Sequence, residues 1–498
     1  MNPLQLLDLV RPDGSRRRHP RLPPALPISP LRQTWRFAAD QAQFMEDCRE
    51  LVGPAFTMDV PGYGPMVGFT DEDSLRRMIA ANPDDFGPSN DVVAFFVGPS
   101  SIFLLEGEPH ANARARTLSA FSGDRMRGYG PVILEAADRF LDGLRAGQRF
   151  SGMDAGRDMA LEIILRALFG LSAGPDYDRM RELVIHFMDG GHNPFATLMS
   201  LYLPPDLVRS IVSGRRDPTT MRLLDDQGVF GLFARVPGIR AGRDLLDGLL
   251  DVIEKREATL DDGGSDALAF ILRRAKESGH AYGRSEALDE TLTLLLAGHD
   301  TTAVTLSWAL YRLGRSPSVV RKMREELDQA FPGVPIDPRT IERLPYLRAV
   351  VDECFRLDGL ARGVSRRLKR DMRFAGYDIP AGTVVMGYTY GAHRDPARWE
   401  FPDDFVPDQF LGKRPKPHEF SPFGAGYRRC AGAGFATYEL AILLAQIVRR
   451  MDFAVPPGLE VECGMLGPII APIGPVPLDV KAVRPARPEG RGSELTPG

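Results

Sequence analysis

FSPFGAGYRRCAGAGFATYEL, residues 420–440, is the stretch whose reading decides the fold. Phe423, Gly426, Arg428, Cys430 and Gly432 stand in the pattern F-x-x-G-x-R-x-C-x-G. Its glycines permit a tight loop whose backbone amides can point at a sulfur. From 432 to about 451 apolar residues recur at helical spacing. The positive end of that helix's dipole favours a thiolate at Cys430 over a thiol. Arg428 brings a positive charge suited to a carboxylate. Standing alone, the loop also suits a structural cysteine in a glycine-rich turn.

Away from this loop the cysteines carry little signal. Cys48, Cys354 and Cys463 are scattered, with no C-x-x-C pair and no zinc-like or ferredoxin-like spacing. A disulfide framework does not suit so few cysteines in so long a chain. The 498 residues are 43% hydrophobic and 26% charged, an ordinary globular composition. Such a chain can enclose a bulky cofactor without disulfide staples. A net charge of -4 gives no global attraction to nucleic acid.

The opening MNPLQLLDLVRPDGSRRRHPRLPPALP is broken by Asp8 and Arg11, short of the roughly 20 apolar residues that span a bilayer. Its basic cluster follows the apolar piece, the reverse of a secretory signal. A soluble, cytoplasmic chain is expected. Residues 1–24 read as a flexible lead-in, 25–483 as a single domain, and 484–498 as a disordered polar tail. Residues 54–70 alternate and turn like a hairpin, and 72–330 repeat mostly at helical spacing. The stretch 203–240 is less regular and reads as two short amphipathic pieces joined by mobile loops. After about 365 come short strands and turns. The fold class is mainly α with a small β component.

The pattern at 423–432 resembles the cysteine-ligand loop of the cytochrome P-450 family, soluble bacterial type, at every defining position. The resemblance covers about 25–483 and implies a helical domain plus a minor β-rich region, with haem b between distal and proximal helices. It implies Cys430 as the axial ligand of the haem iron, with Phe423 in the loop and Arg428 towards a haem propionate. LLLAGHDTTAVTLSWAL, 294–310, is similar to the family's distal helix; Ala297, Gly298, Asp300 and Thr301 fill its [AG]-G-x-[DE]-T-[TS] motif. There Gly298 would let the backbone approach the haem. Thr301 would turn its hydroxyl towards dioxygen, and Asp300 would relay protons from solvent. His299, between the motif positions, reads as structural.

Glu353 and Arg356 form E-x-x-R and share a helix face, so they can ion-pair. In the family this pair locks its helix against the cysteine loop. His110 and Arg114, at i, i+4, match the family's propionate clamp, and Arg366 matches a further propionate arginine, with neighbouring Arg367 leaving the choice open. HRDPARWEFPDDFVPDQF, 393–410, is similar to the family's meander but carries Gln409 where arginine is common. An amide can still hydrogen-bond there.

The family's activity would be insertion of one oxygen atom from dioxygen into an apolar small molecule, with two electrons supplied from outside. Nothing in the chain reads as a flavin, nicotinamide or iron–sulfur site, so a separate ferredoxin or flavodoxin with its reductase is implied. Lys413, Arg414, Lys416, Arg428 and Arg429, against Glu419 alone, are either a patch that steers such an acidic donor or a solvated face. By analogy Phe95, Phe96, Leu294, Leu360, Val364, Ile469 and Ile470 make an apolar pocket wall, suited to a fatty acid, terpenoid, steroid or polyketide. The alternatives are a peroxide-using or rearranging haem-thiolate enzyme, a non-catalytic haem protein, and a helical binding protein without haem.

Overall fold

The computed structural model describes residues 21–486 apart from 61–63, 81, 90–92, 94–96, 192–209, 212, 218, 226–235, 278–281 and 468. Residues 1–20 of the expected lead-in and 487–498 of the expected tail lie outside the described residues, as do Phe95 and Phe96.

Two short helices open the fold. Helix α1 (Pro30–Ala39) starts on a proline after its cap Ser29, and α2 (Gln41–Val52) is capped by Asp40, whose carboxylate accepts from the Ala42 and Gln43 amides. The alternating stretch that follows is a hairpin: β1 (Ala55–Val60) pairs antiparallel with β2 (Gly64–Phe69), Ala55 opposite Phe69. The hairpin joins β3 (Phe86–Gly87), β4 (Val364–Leu368) and β5 (Val384–Gly387) in one sheet of order β1–β2–β5–β4–β3. β5 runs parallel to β2 and antiparallel to β4.

The helices that matter for the site are α3 (Gly107–Ala120), α4 (Gly152–Phe169), α5 (Arg284–Gly314), α6 (Pro345–Leu357) and α7 (Ala433–Arg450). The 31 residues of α5 span roughly 46 Å. From Thr302 to Leu310 every residue is buried, the mark of a helix wrapped on all sides. Its closest neighbour is α4. A Cβ on Gly156 would lie 2.5 Å from the Ala303 carbonyl oxygen, and one on Gly298 would lie 2.6 Å from Ile164 Cδ1. Each helix therefore supplies a glycine that the other's surface requires. Around them the core runs through Leu306, Val350 and Ile442, all wholly buried.

Within 203–240 the described residues 210, 211 and 213 are helical. Arg215–Arg216 and Leu223–Asp225 form a two-stranded ribbon, and a helix begins at Pro237. The polar turn at Asp217, whose carboxylate accepts from the Thr219 and Thr220 amides, folds that ribbon back. Among the described residues no helix is long and apolar enough to cross a membrane.

Candidate active site

Gly424 and Gly426 have φ of +65° and +67°, values that a side chain resists. They turn the loop so that the Cys430 amide donates to the Phe423 carbonyl at 2.9 Å. The Phe423 ring packs edge-on against Phe355 of α6, centroids 4.8 Å apart, which pins the loop to the core. The Gly432 amide is directed at the Cys430 sulfur, and α7 begins at the next residue. Cys430 is exposed by accessible area, yet burial is the largest influence on its thiol. Both hold when the sulfur opens onto an internal space walled by protein. Burial pushes the thiol pKa up, while the Gly432 amide, Arg429 and Arg114 pull it down.

Helix α5 borders open space along one face. Leu294, Ala297, Gly298 and Thr301 are only half-buried, whereas Leu295, His299 and Thr302 are buried. The first four share one face of the helix as a stripe, while Leu296 and Asp300 are half-buried on another. Thr301 Oγ1 donates to the Ala297 carbonyl at 2.6 Å, so the hydroxyl turns back on its own helix and offers its oxygen as an acceptor. His299 Nδ1 lies 3.0 Å from the Asp300 carboxylate, which agrees with a structural histidine. At Gly298 a Cβ would meet Ile164 of α4, so the glycine also serves the packing of these two helices. Thr302 donates to Glu439 of α7 at 3.0 Å, tying the stripe's helix to the helix that follows Cys430. Glu439 was not singled out in the sequence, although a lone acid amid the apolar residues of α7 was a signal.

Basic side chains gather beside the cysteine loop. Arg114 of α3 donates to the Arg429 carbonyl at 2.5 Å, and the His110 ring meets Tyr427 edge-on at 5.7 Å. Burial alternates along β4, with Val364, Arg366 and Leu368 inward. Arg366 reaches the Ala425 carbonyl, while Arg367 donates to Gly382 on the more exposed side. The inward arginine is thus Arg366. Burial, then Arg428, Arg114 and Arg366, push the His110 pKa down to about 4. Burial and Arg428 lower Arg366 to about 10, against an opposing influence of Tyr427. Among the described residues no carboxylate acts on His110, Arg114 or Arg366. The Nε atoms of Arg366 and Arg428 are buried without a partner among the described residues. His110 and Arg366 are buried and Arg114 and Arg428 half-buried, and such a basic cluster, with no acid among the described residues, calls for an anion that the two carboxylates of haem suit.

Arg428 differs from its sequence reading in one respect. It points inward, donating to the carbonyls of Ile102, Phe103 and Leu105, so it does not belong to a surface patch. Lys413, Arg414, Lys416 and Arg429 are exposed.

Glu353 and Arg356 are wholly buried and paired at 2.7 Å. Arg356 also donates to the carbonyls of His393, Phe401, Pro402 and Asp404, so the pair fastens α6 to the meander. Of the expected pocket wall, the Ile470 amide donates to the Leu360 carbonyl at 2.9 Å, and Leu360 and Ile469 pack against Val304 and Trp308 of α5. Val364 lies 3.7 Å from where a Cβ on Gly424 would stand. Leu294 belongs to the α5 stripe. A separate groove lined by Phe169, Met180, Leu183 and Val252 shares no residue with this site and is bridged by the ion pairs Arg179–Asp251 and Lys255–Asp176.

The sequence profile of the family described as Cytochrome P450 matches residues 239–478. Cytochrome P450 135B1 of Mycobacterium tuberculosis is 31% identical over 435 residues, 87% of this chain and 86% of that protein. The chain belongs to the cytochrome P450 family. Cytochrome P450 138 of Mycobacterium tuberculosis is 29% identical over 431 residues, 86% of this chain and 89% of that one. The structure of retinoic acid bound cyanobacterial CYP120A1 matches with a TM-score of 0.74 at 21% identity, covering 93% of this chain and 99% of that one, and shows the P450 fold. As a P450, this protein is of the haem-thiolate monooxygenase kind, which uses haem iron, dioxygen and electrons from a redox partner.

Proposed function

We propose that this P450 oxygenates an apolar small molecule of the fatty acid, terpenoid, steroid or polyketide kind, with Cys430 as thiolate ligand to haem b. What supports the reading most is the cluster of His110, Arg114, Arg366 and Arg428 beside the loop that presents Cys430, where no carboxylate among the described residues acts on the first three. Haem held there supplies dioxygen activation and insertion of one oxygen atom into a C–H or C=C bond.

The chain's own residues do the rest. Arg114, Arg366 and the Nε of Arg428 hold the propionates, and His110, held neutral by its low pKa, adds a hydrogen bond rather than a charge. The Gly432 amide, Arg429 and Arg114 favour the thiolate at Cys430. On the opposite wall Asp300, its side chain 23% exposed, exchanges protons with solvent while His299 restrains it. Thr301 Oγ1 holds the proton path's inner end, oriented by the Ala297 carbonyl. Leu294, Leu360, Val364, Ile469 and Ile470 retain an apolar substrate and exclude water. Lys413, Arg414, Lys416 and Arg429 attract an acidic ferredoxin or flavodoxin, itself fed by a reductase.

The test is coupling in Thr301→Ala. With a ferredoxin and its reductase, product formed per electron pair consumed should fall about tenfold or more while consumption continues, the scale expected for lost acid catalysis. Unchanged coupling would contradict the roles given to Asp300 and Thr301.

A further inference from the structure

The segment Gly98–Leu105 is fastened to both sides of the site. At its start the Ser100 amide donates to Asp289 Oδ2 at 2.9 Å, and Ser101 Oγ donates at 2.9 Å to Thr293 Oγ1, whose own proton goes to the Asp289 carbonyl. Asp289 and Thr293 stand one turn apart on α5, and both are buried, as is Ser101. At its far end the segment's carbonyls are held by Arg428, two residues before Cys430. Gly98–Leu105 is therefore a strap between the distal helix and the cysteine loop.

The fit at Gly98 is close. Its φ is +79°, and a Cβ there would come within 2.0 Å of Asp289 Oδ1. Only glycine allows a carboxylate so near the backbone in that conformation. A buried carboxylate also loses hydration, which hydrogen bonds such as that from Ser100 offset. Thr293 adjoins Leu294 and lies one turn from Ala297, so the strap meets α5 at the edge of the half-buried stripe.

We propose that Asp289 is a positioning residue for substrate selection, catching the Gly98–Ser101 turn on α5 and so setting the width of the passage between strap and stripe. The inference rests on the haem pocket proposed above. When the catch is lost, Arg428 still holds residues 102–105, so the strap loosens at its α5 end alone. The passage then widens for a bulky apolar molecule and changes little for a diatomic one.

Haem-loaded full-length protein tests this with two probes of different size. Stopped-flow association of 4-phenylimidazole with the oxidised protein is compared with that of carbon monoxide with the reduced protein. Asp289→Ala should raise the 4-phenylimidazole rate about tenfold, the scale of one lost hydrogen bond to a charged acceptor, and leave the carbon monoxide rate within about twofold. Asp289→Asn, which keeps an acceptor oxygen for Ser100, should stay near wild type. Should Asp289→Ala not fold, Gly98→Ala breaks the same contact from the strap side and should shift the ratio of rates alike. An unchanged ratio, or equal acceleration of both probes, overturns the proposal. Failure of the haem reading itself is distinct, since wild type would then show no Soret change with either probe.

Discussion

Gln409 donates its side-chain amide to Glu353 Oε1 at 2.9 Å, while its own Oε1 is buried with no partner among the described residues. The amide thus serves Glu353 alongside Arg356 and the Val406 amide, at the cost of one stranded acceptor. Gln409→Leu loses the bond and the stranded oxygen together, so its stability should stay within about 1 kcal/mol of wild type. Gln409→Glu places a second buried carboxylate against Glu353 and should cost about 2–4 kcal/mol. Urea unfolding of the two variants checks the pair, and equal losses would contradict it.

Arg366 and Arg367 are adjacent in sequence and face opposite ways. Arg366→Leu removes an inward cation and should speed haem transfer to apomyoglobin roughly tenfold, the scale of a charge-assisted hydrogen bond. Arg367→Leu should leave the transfer rate near wild type. Reversed effects would contradict the arrangement of the basic cluster.

Burial pushes the Glu439 pKa from 4.5 up to about 8, against the single hydrogen bond from Thr302. The folded protein therefore keeps a proton that the unfolded chain releases, and stability falls as pH rises from about 4.5 to about 8. Glu439→Gln keeps the neutral shape and should remove that fall. Relative to wild type, the variant should gain roughly 2 kcal/mol between about pH 6 and pH 8. Unfolding curves measured at both pH values decide it, and a constant difference would contradict the assignment.

Lys413 and Lys416 are exposed and precede the cysteine loop in sequence. Reversing both to Glu should slow ferredoxin-driven reduction about tenfold at low salt and weaken its salt dependence. Reduction by dithionite should be unaffected. Unchanged ferredoxin-driven rates would sink the docking role.

The legible parts of the fold and site were local in sequence. The cysteine loop declares itself because its glycines, its arginine and the helix after it lie within one short stretch. Glu353 and Arg356 could be paired because three residues on a helix fix their geometry. The apolar alternation of 54–70 marked the hairpin. What stayed hidden depends on packing between distant segments. The choice of Arg366 over Arg367 needed the sheet's inner face, and the inward turn of Arg428 needed the strap. The packing of Gly298 against Ile164 stayed hidden because Ile164 comes from another helix. Asp289 and Glu439 look like ordinary helix acids until their partners Ser100 and Thr302 are brought against them.

The central claim is that Cys430 binds the haem iron as a thiolate. Its most direct test is the absorption spectrum of the purified protein, reduced with dithionite and exposed to carbon monoxide. We expect a strongly red-shifted Soret band in wild type that is absent in Cys430→Ala. Ordinary histidine-type absorption in wild type, or a red-shifted band that survives in Cys430→Ala, would contradict the claim.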